Sequence, residues 1–287
     1  MNEYGVLALS PQRTSTGELL SAAARRRGMR VEVLPADGGA GSGEPWRSGG
    51  VHYYGGPLFA GRVVEDLAVA LLEPADDWPA ALPYAYTLRN ITEATLGEAR
   101  GLTRPAFVKP PSDKSFPAAV HADGGRLPGG GSGLPADTPV LISDVVTWEV
   151  EFRLFVLDGE VRTGSQYATF GRLDTAPLDG HRHRAAVLDF AEGLLGDLGD
   201  TLPGAVVVDV GLVTATEPGG AEGWAVVEAN MAWFSNCYAA DPGRALDVVL
   251  RSAGPRDRLA ERDRPFCRAY RPCVPSRTAT RPLKTPT

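Results

Sequence analysis

The sequence has little sulfur and little histidine: three cysteines, three methionines and four histidines in 287 residues. Cys237, Cys267 and Cys273 are too few for a disulfide framework, and no two have the CxxC spacing of a zinc clamp. The chain therefore reads as one for a reduced, cytoplasmic setting. No apolar run approaches the roughly 20 residues that span a bilayer, which argues against a membrane partner. The opening MNEYGVLALSPQ has neither a basic nor a long apolar stretch, so no secretory leader is expected. Positive charge is not in excess either, with a net charge of −6. Residues 251–287 hold ten Lys/Arg against three Asp/Glu, so that segment is +7 and the remainder −13. An acidic body argues against general nucleic-acid binding as the main activity. Missing as well is a GxGxxG behind the first expected strand. The glycine run GGGSG (129–133) lacks the Lys-Ser/Thr of a Walker loop and reads as a linker. Cys237, in WFSNCY, has no visible base to activate it. His181 and His183, in HRHR, have no acidic or thiol partner nearby and read as a solvated helix start.

What remains is an ordinary globular composition, 43% hydrophobic and 22% charged, with enough length for one large domain or two or three lobes. EYGVLALS (3–10), ELLSAAARRRG (18–28) and MRVEVLP (29–35) read as strand, helix and strand, a βαβ opening. VHYYGG (51–56) reads as a third strand and GRVVEDLAVALL (61–72) as an amphipathic helix, giving a small α/β lobe over 1–85. NITEATLGEARG (90–101) is expected to be a helix capped by Asn90 or Thr92. AFVKP follows as a strand. The strongest β signal is LISDVVTWEVEFRLFVLDGEVRTGSQYATF (141–170), with a hairpin turn at Asp158-Gly159. A helix over 181–200 leads to strands at 205–215 and 223–233 around a Pro-Gly-Gly turn, and the last helix lies within 241–254. Residues 255–287 are expected as a basic, Pro-rich tail with little regular structure, either a solvated terminus or a docking arm for an acidic protein partner. The fold class is α/β, with α+β lobes.

Four groups of residues point to chemistry. Asp209 lies inside the apolar strand VVVDVGLV, while Glu228 and Asn230, two apart in AVVEANMAW, share one face of theirs. If the two strands pair, Asp209 faces that set, which offers hard oxygen ligands of the kind Mg²⁺ takes beside nucleotide phosphates. A hydrogen-bonded structural network is the other reading. Lys109, at the end of AFVK, and Lys114, beyond Pro110 and Pro111, suit phosphate oxygens, or are solvated loop charges. Arg153 and Arg162 occupy opposite arms of the hairpin, and each needs a phosphate or carboxylate. For Arg153 the alternative partner is Glu149 or Glu151 on its own face.

In order and spacing, FVKP, LISDVV, EFRLFVLDGEVRTGSQY, VVVDVGLV and VVEANMAWFSNCY resemble the ATP-grasp superfamily, over about residues 1–250. More narrowly, they resemble its clade marked by an arginine and two lysines, which includes bacterial proteins and eukaryotic cell-division-cycle proteins that help assemble a translation factor. The resemblance implies a pre-grasp lobe at 1–85 and nucleotide-binding and catalytic lobes at 86–254. It implies ATP and Mg²⁺ as cofactors, with Lys109 and Lys114 near the phosphates and Ser143, Asp144, Val145 and Val146 against the adenine. Arg153 would face the phosphates or an acyl-phosphate, and Asp209, Glu228 and Asn230 would bind the metal. Arg162, Tyr167 and Arg89 would lie on the acceptor side. The implied activity is ADP-forming ligation of a small-molecule or peptide carboxylate to an amine through an acyl-phosphate. A nucleotide-binding assembly factor without ligation and a kinase-like phosphotransferase are the alternatives.

Overall fold

The computed structural model describes residues 5–38, 50–111, 115–129, 133–215 and 222–267. The opening is the βαβ unit that the apolar runs call for. Strand β1 (Val6–Leu9) is buried along its whole length, and helix α1 (Ser15–Arg26) crosses to β2 (Arg30–Val33). Thr14 starts the helix by accepting from the Gly17 N–H, and Gly28, at φ 76°, lets the chain turn out of it. With β3 (Val51–Tyr54) these strands form a parallel sheet of order β2-β1-β3.

The single helix expected over 61–72 is two elements, α2 (Pro57–Val63) and β4 (Val69–Leu71). The chain reverses at Ala68, whose φ is 51°, and the run Val69-Ala70-Leu71 then pairs with Ala253–Pro255 far along the sequence. Tertiary pairing overrides the helical period here. Two short helices, α3 (Trp78–Ala81) and α4 (Tyr84–Thr87), lead out of the lobe.

The helix expected at 90–101 is also divided, into β5 (Ile91–Thr95) and α5 (Leu96–Ala99). Neither Asn90 nor Thr92 caps it. Thr95 does, in a reciprocal capping box with Glu98. Next come β6 (Ala106–Lys109), β7 (Ala119–His121) and β8 (Pro139–Ser143), and these strands build an antiparallel sheet of order β5-β8-β6-β7.

The second half of the chain is a five-stranded antiparallel sheet. It contains β9 (Thr147–Leu157), β10 (Glu160–Thr169) and β11 (Arg172–Pro177), then, after helix α6 (Arg184–Leu198), β12 (Ala205–Thr214) and β13 (Gly223–Asn230). Its order is β11-β10-β9-β12-β13. The Asp158-Gly159 turn is present with both φ angles positive, 49° and 83°, as the twist of a tight hairpin requires. The Pro-Gly-Gly turn expected between β12 and β13 lies outside the described residues. Alternation along the strands sorts the sheet into two faces. Phe152, Leu154, Val206 and Val208 pack with Val187 and Leu194 of α6. Their alternates Phe155 and Val207 join Leu7, Leu20 and Ala24 of the N-terminal lobe, together with Leu246 and Val249 of α7 (Pro242–Ser252). Arg153 and Asp209, by the same period of two, lie on the face away from α6.

Residues 255–267, expected as the start of an unstructured tail, belong to the fold. Ala253–Pro255, β14, pairs with β4. Asp263 is fully buried, accepts from the Gly204 N–H at 2.7 Å and forms an ion pair with Arg251. Arg256 binds Glu65 at 2.9 Å. These long-range partners of Arg256 and Asp263 are not revealed by composition alone. Residues 268–287 lie outside the described residues. No helix of the described residues is long and apolar enough to cross a membrane.

Candidate functional site

A cleft of about 890 Å³ runs between the four-stranded and five-stranded sheets. Lys109, at the end of β6, and Ser143–Val146, from the last residue of β8 onward, line it on one side. Glu228 and Asn230 of β13 line it on the other. Residues singled out in the sequence from three separate stretches thus line one space, while Arg153 and Asp209 are not among its lining residues and join it through hydrogen bonds. Lys109 Nζ donates to Glu228 Oε2. Asn230 Nδ2 donates to Glu228 Oε1 at 2.9 Å and lies 3.3 Å from Asp209 Oδ2. Asp209 in turn takes both arms of the Arg153 fork, Nε to Oδ1 at 2.9 Å and Nη2 to Oδ2 at 2.6 Å. The network therefore runs unbroken from lysine to arginine. It rests on the expected pairing of β12 with β13, in which Asp209 stands opposite Glu228.

Arg153 does not pair with Glu149 or Glu151, the alternative its strand face offered. Its guanidinium lies over the rings of Tyr167 and Tyr238, at 5.6 and 5.3 Å, and those rings stack on each other at 5.4 Å. Tyr167 donates to Glu151 Oε2 at 2.7 Å. Burial opposes charge throughout. It raises the Asp209 carboxyl above its ordinary value even against the pull of Arg153. Burial also pushes Glu228 up, but Lys109, Asn230 and Arg153 more than offset this, and its net shift is downward. Burial, with the charges of Asp209 and Glu228, raises Glu151.

The donor set fits a hard divalent cation. It offers two carboxylates and an amide, joined by hydrogen bonds through the amide and flanked by two cations. Among the described residues no group of three or more His, Cys, Asp and Glu is arranged to hold a metal, so the third donor of such a set is Asn230.

Other sequence candidates fare differently. Lys114 lies outside the described residues. Arg162 does not line the cleft. It contacts Glu160 at 3.8 Å and borders a separate cavity of about 520 Å³ with Asp247 and Arg251. Asp144 stands at the cleft wall, but its oxygens accept from the Asn90 N–H at 3.1 Å, Asn90 Nδ2 at 2.7 Å and Arg104 Nη1 at 3.1 Å. These bonds tie the segment after β8 to Asn90 and Arg104. Cys237 is fully buried, and burial pushes its thiol up to about 12, so it offers no nucleophile. His181 and His183 pack edge-on against Phe152 and Trp224.

Three contributors escaped the sequence reading: Trp148, whose ring lies under Arg89 at 5.0 Å, Tyr238, and the role of Glu151 as acceptor for Tyr167. Period two from Arg153 puts Glu151 on the right face, and nothing comparable marks Tyr238.

The sequence model of one protein family matches residues 86–248. Its description is an ATP-grasp domain, family 2 of the clade marked by an arginine and two lysines. No curated protein matches the sequence. Among solved structures, the chain is similar to N5-carboxyaminoimidazole synthase from Aspergillus clavatus, in complex with ADP and 5-aminoimidazole ribonucleotide. The identity is 14% and the TM-score 0.52, over 87% of this chain and 78% of that one. It is also similar to D-alanyl-alanine synthetase A from Vibrio cholerae O1 biovar eltor, at 15% identity and a TM-score of 0.50, over 86% of this chain and 94% of that one. At such identities the likeness is one of fold.

Proposed function

This chain belongs to the ATP-grasp domain family numbered 2 in the clade marked by an arginine and two lysines, and from that premise we propose that it is an ATP- and Mg²⁺-dependent carboxylate–amine ligase. The observation that carries the proposal is the Lys109–Glu228–Asn230–Asp209–Arg153 network at the cleft. Each cation in it holds a carboxylate that a bound nucleotide and its metal would take over. The adenine lies against Ser143–Val146. Lys109 would exchange Glu228 for phosphate oxygens, and Lys114 would bind the same phosphates. Asp209, Glu228 and Asn230 hold Mg²⁺, which when bound neutralises phosphate charge and templates the transfer. Arg153, backed by two tyrosine rings, faces the transferred group.

A substrate carboxylate oxygen attacks the γ-phosphorus, the bond to the bridging oxygen breaks and ADP leaves. An amine nitrogen then attacks the acyl carbon, the C–O bond breaks, phosphate leaves and the amine gives up a proton. No step requires a covalent protein nucleophile, in keeping with the buried, weakly acidic Cys237. Positioning and charge neutralisation supply the rate. The substrates we propose are small-molecule or peptide carboxylates and amines. D-Alanyl-alanine synthetase, one of the proteins of similar fold, is named for a dipeptide product.

Calorimetric titration with ATP tests this reading, with and without Mg²⁺, on the native chain and on Lys109→Ala and Glu228→Ala. Magnesium-dependent binding that both variants lose is the expected result. Absence of ATP binding by the native chain would sink the proposal.

A further inference from the structure

In a regular strand successive carbonyls point to opposite edges. On β13 two consecutive ones do not. Val226 O and Val227 O both accept from the Arg89 guanidinium, at 2.7 and 3.1 Å. The register explains how. Asp209 pairs with Glu228, but Val210 pairs with Val226, so Val227 is an extra residue without a partner on β12. This is a bulge, and it turns both carbonyls toward the outer edge of the sheet, where β13 has no further strand to meet.

Arg89 stands in for that missing strand. It is only 8% exposed, lies 5.0 Å over the Trp148 ring and also donates to Thr87 O at 3.0 Å. All three of these hydrogen bonds go to carbonyls. Burial lowers its pKa to about 10 even though Glu228 and Glu151 act to raise it. The residue after the bulge is Glu228. The next residue along the chain from Arg89, Asn90, holds Asp144 at the cleft wall. One dipeptide thus contacts both sides of the cleft.

We propose that Arg89 is a positioning residue: its fork holds the β13 bulge, the bulge aims Glu228 at Lys109 and Asn230, and the magnesium dependence of nucleotide affinity comes to rely on it. This rests on the reading of the cleft as a Mg²⁺–ATP site. Lysine cannot replace it, because an ammonium has no planar fork to give two adjacent carbonyls.

The test uses the full chain in five forms: native, Arg89→Lys, Arg89→Met, Glu228→Gln, and Arg89→Lys combined with Glu228→Gln. ATP is titrated once in excess Mg²⁺ and once in EDTA, and circular dichroism checks that each protein is folded. In the Arg89 variants the gain in ATP affinity from Mg²⁺ should shrink by about 10- to 100-fold, the usual effect of losing a group that orients a metal ligand. Affinity in EDTA should stay within about threefold of native on the same reasoning. In the Glu228→Gln background, Arg89→Lys should change little more, since Arg89 acts through that carboxylate. Arg89→Lys keeps the buried charge and carries the test if Arg89→Met fails to fold. A full magnesium gain in a folded Arg89 variant would overturn the inference. So would an equal loss in Mg²⁺ and in EDTA, which marks a general scaffold role. A native chain that binds ATP equally with and without Mg²⁺, or not at all, overturns the site reading itself and this inference with it.

Discussion

Replacing Arg153 with methionine should unfold the chain more easily than almost any other single change at the cleft. The magnitude follows from the pair it breaks. Arg153 Nη2 and Asp209 Oδ2 are 2.6 Å apart, and the two side chains are 12% and 1% exposed. At an effective dielectric of about 20 their attraction is roughly 6 kcal/mol. Desolvation offsets most of that, so the intact pair adds little compared with two well-packed apolar groups. Removing one partner is another matter and costs about 3–5 kcal/mol, because a buried charge is left behind. Arg153→Met should lie at the upper end, since Asp209 loses both arms of the fork and is left with the long 3.3 Å contact from Asn230. Asp209→Asn should lie lower, because Arg153 retains the faces of Tyr167 and Tyr238. The double change Arg153→Met with Asp209→Leu should recover most of the loss.

Urea denaturation followed by tryptophan fluorescence at pH 7 and pH 5 reads all four proteins. The pH dependence has a definite sign. Burial already raises Asp209 against the pull of Arg153, and without the arginine that opposition is gone. A carboxyl whose folded pKa exceeds its unfolded value, about 3.9, takes up a proton on folding, so stability falls as pH rises between the two. Arg153→Met should therefore regain stability relative to native on moving from pH 7 to pH 5. Stability of Arg153→Met within about 1 kcal/mol of native at pH 7, with no such recovery, would refute the reasoning.

Two further predictions come from the surrounding frame. A Cβ on Gly124 would lie 2.2 Å from Arg100 O, a backbone atom, so Gly124→Ala should lower stability by about 1–3 kcal/mol or more. Gly129→Ala, with nothing within 4 Å, should stay within about 0.5 kcal/mol, and thermal melts of the two separate the cases. At the cleft wall, burial pushes Asp144 up, but the Asn90 donors and Arg104 prevail and hold it below its ordinary value. Its stabilising contribution is present above about pH 4 and is lost as pH falls through the folded pKa. The difference in melting temperature between native and Asp144→Asn should close as pH is lowered from 5 to 3, and a constant difference would contradict the assignment.

What the sequence made legible was local. The Asp158-Gly159 turn, the alternation in β9 and β10 and the Glu228-x-Asn230 pair each carry their own signal, and each appears as read. What it hid was decided at long range. Ile91–Thr95 has the composition of a helix start, yet β8, nearly fifty residues on, claims it as a strand. Arg153 has two glutamates on its own strand and pairs with Asp209, which stands opposite it on β12. Arg162 looked equivalent to Arg153 across the hairpin, but it borders a different cavity. The bulge at Val227 has no sequence mark at all, because it exists only as a mismatch between two strands.

The shared core of the first and last segments has a consequence for synthesis. Leu7, Leu20 and Ala24 share their core with Leu246 and Val249, so their packing is incomplete until α7 is made. Roughly 220 residues separate Leu20 from Leu246, and at about 5–20 residues per second the ribosome needs on the order of 10 to 40 seconds to supply them. For that interval the apolar stripe of the first helix leaves the ribosome without its partner. The nascent chain is then a client for holding chaperones, and any message truncated before α7 yields a product that cannot close its own beginning.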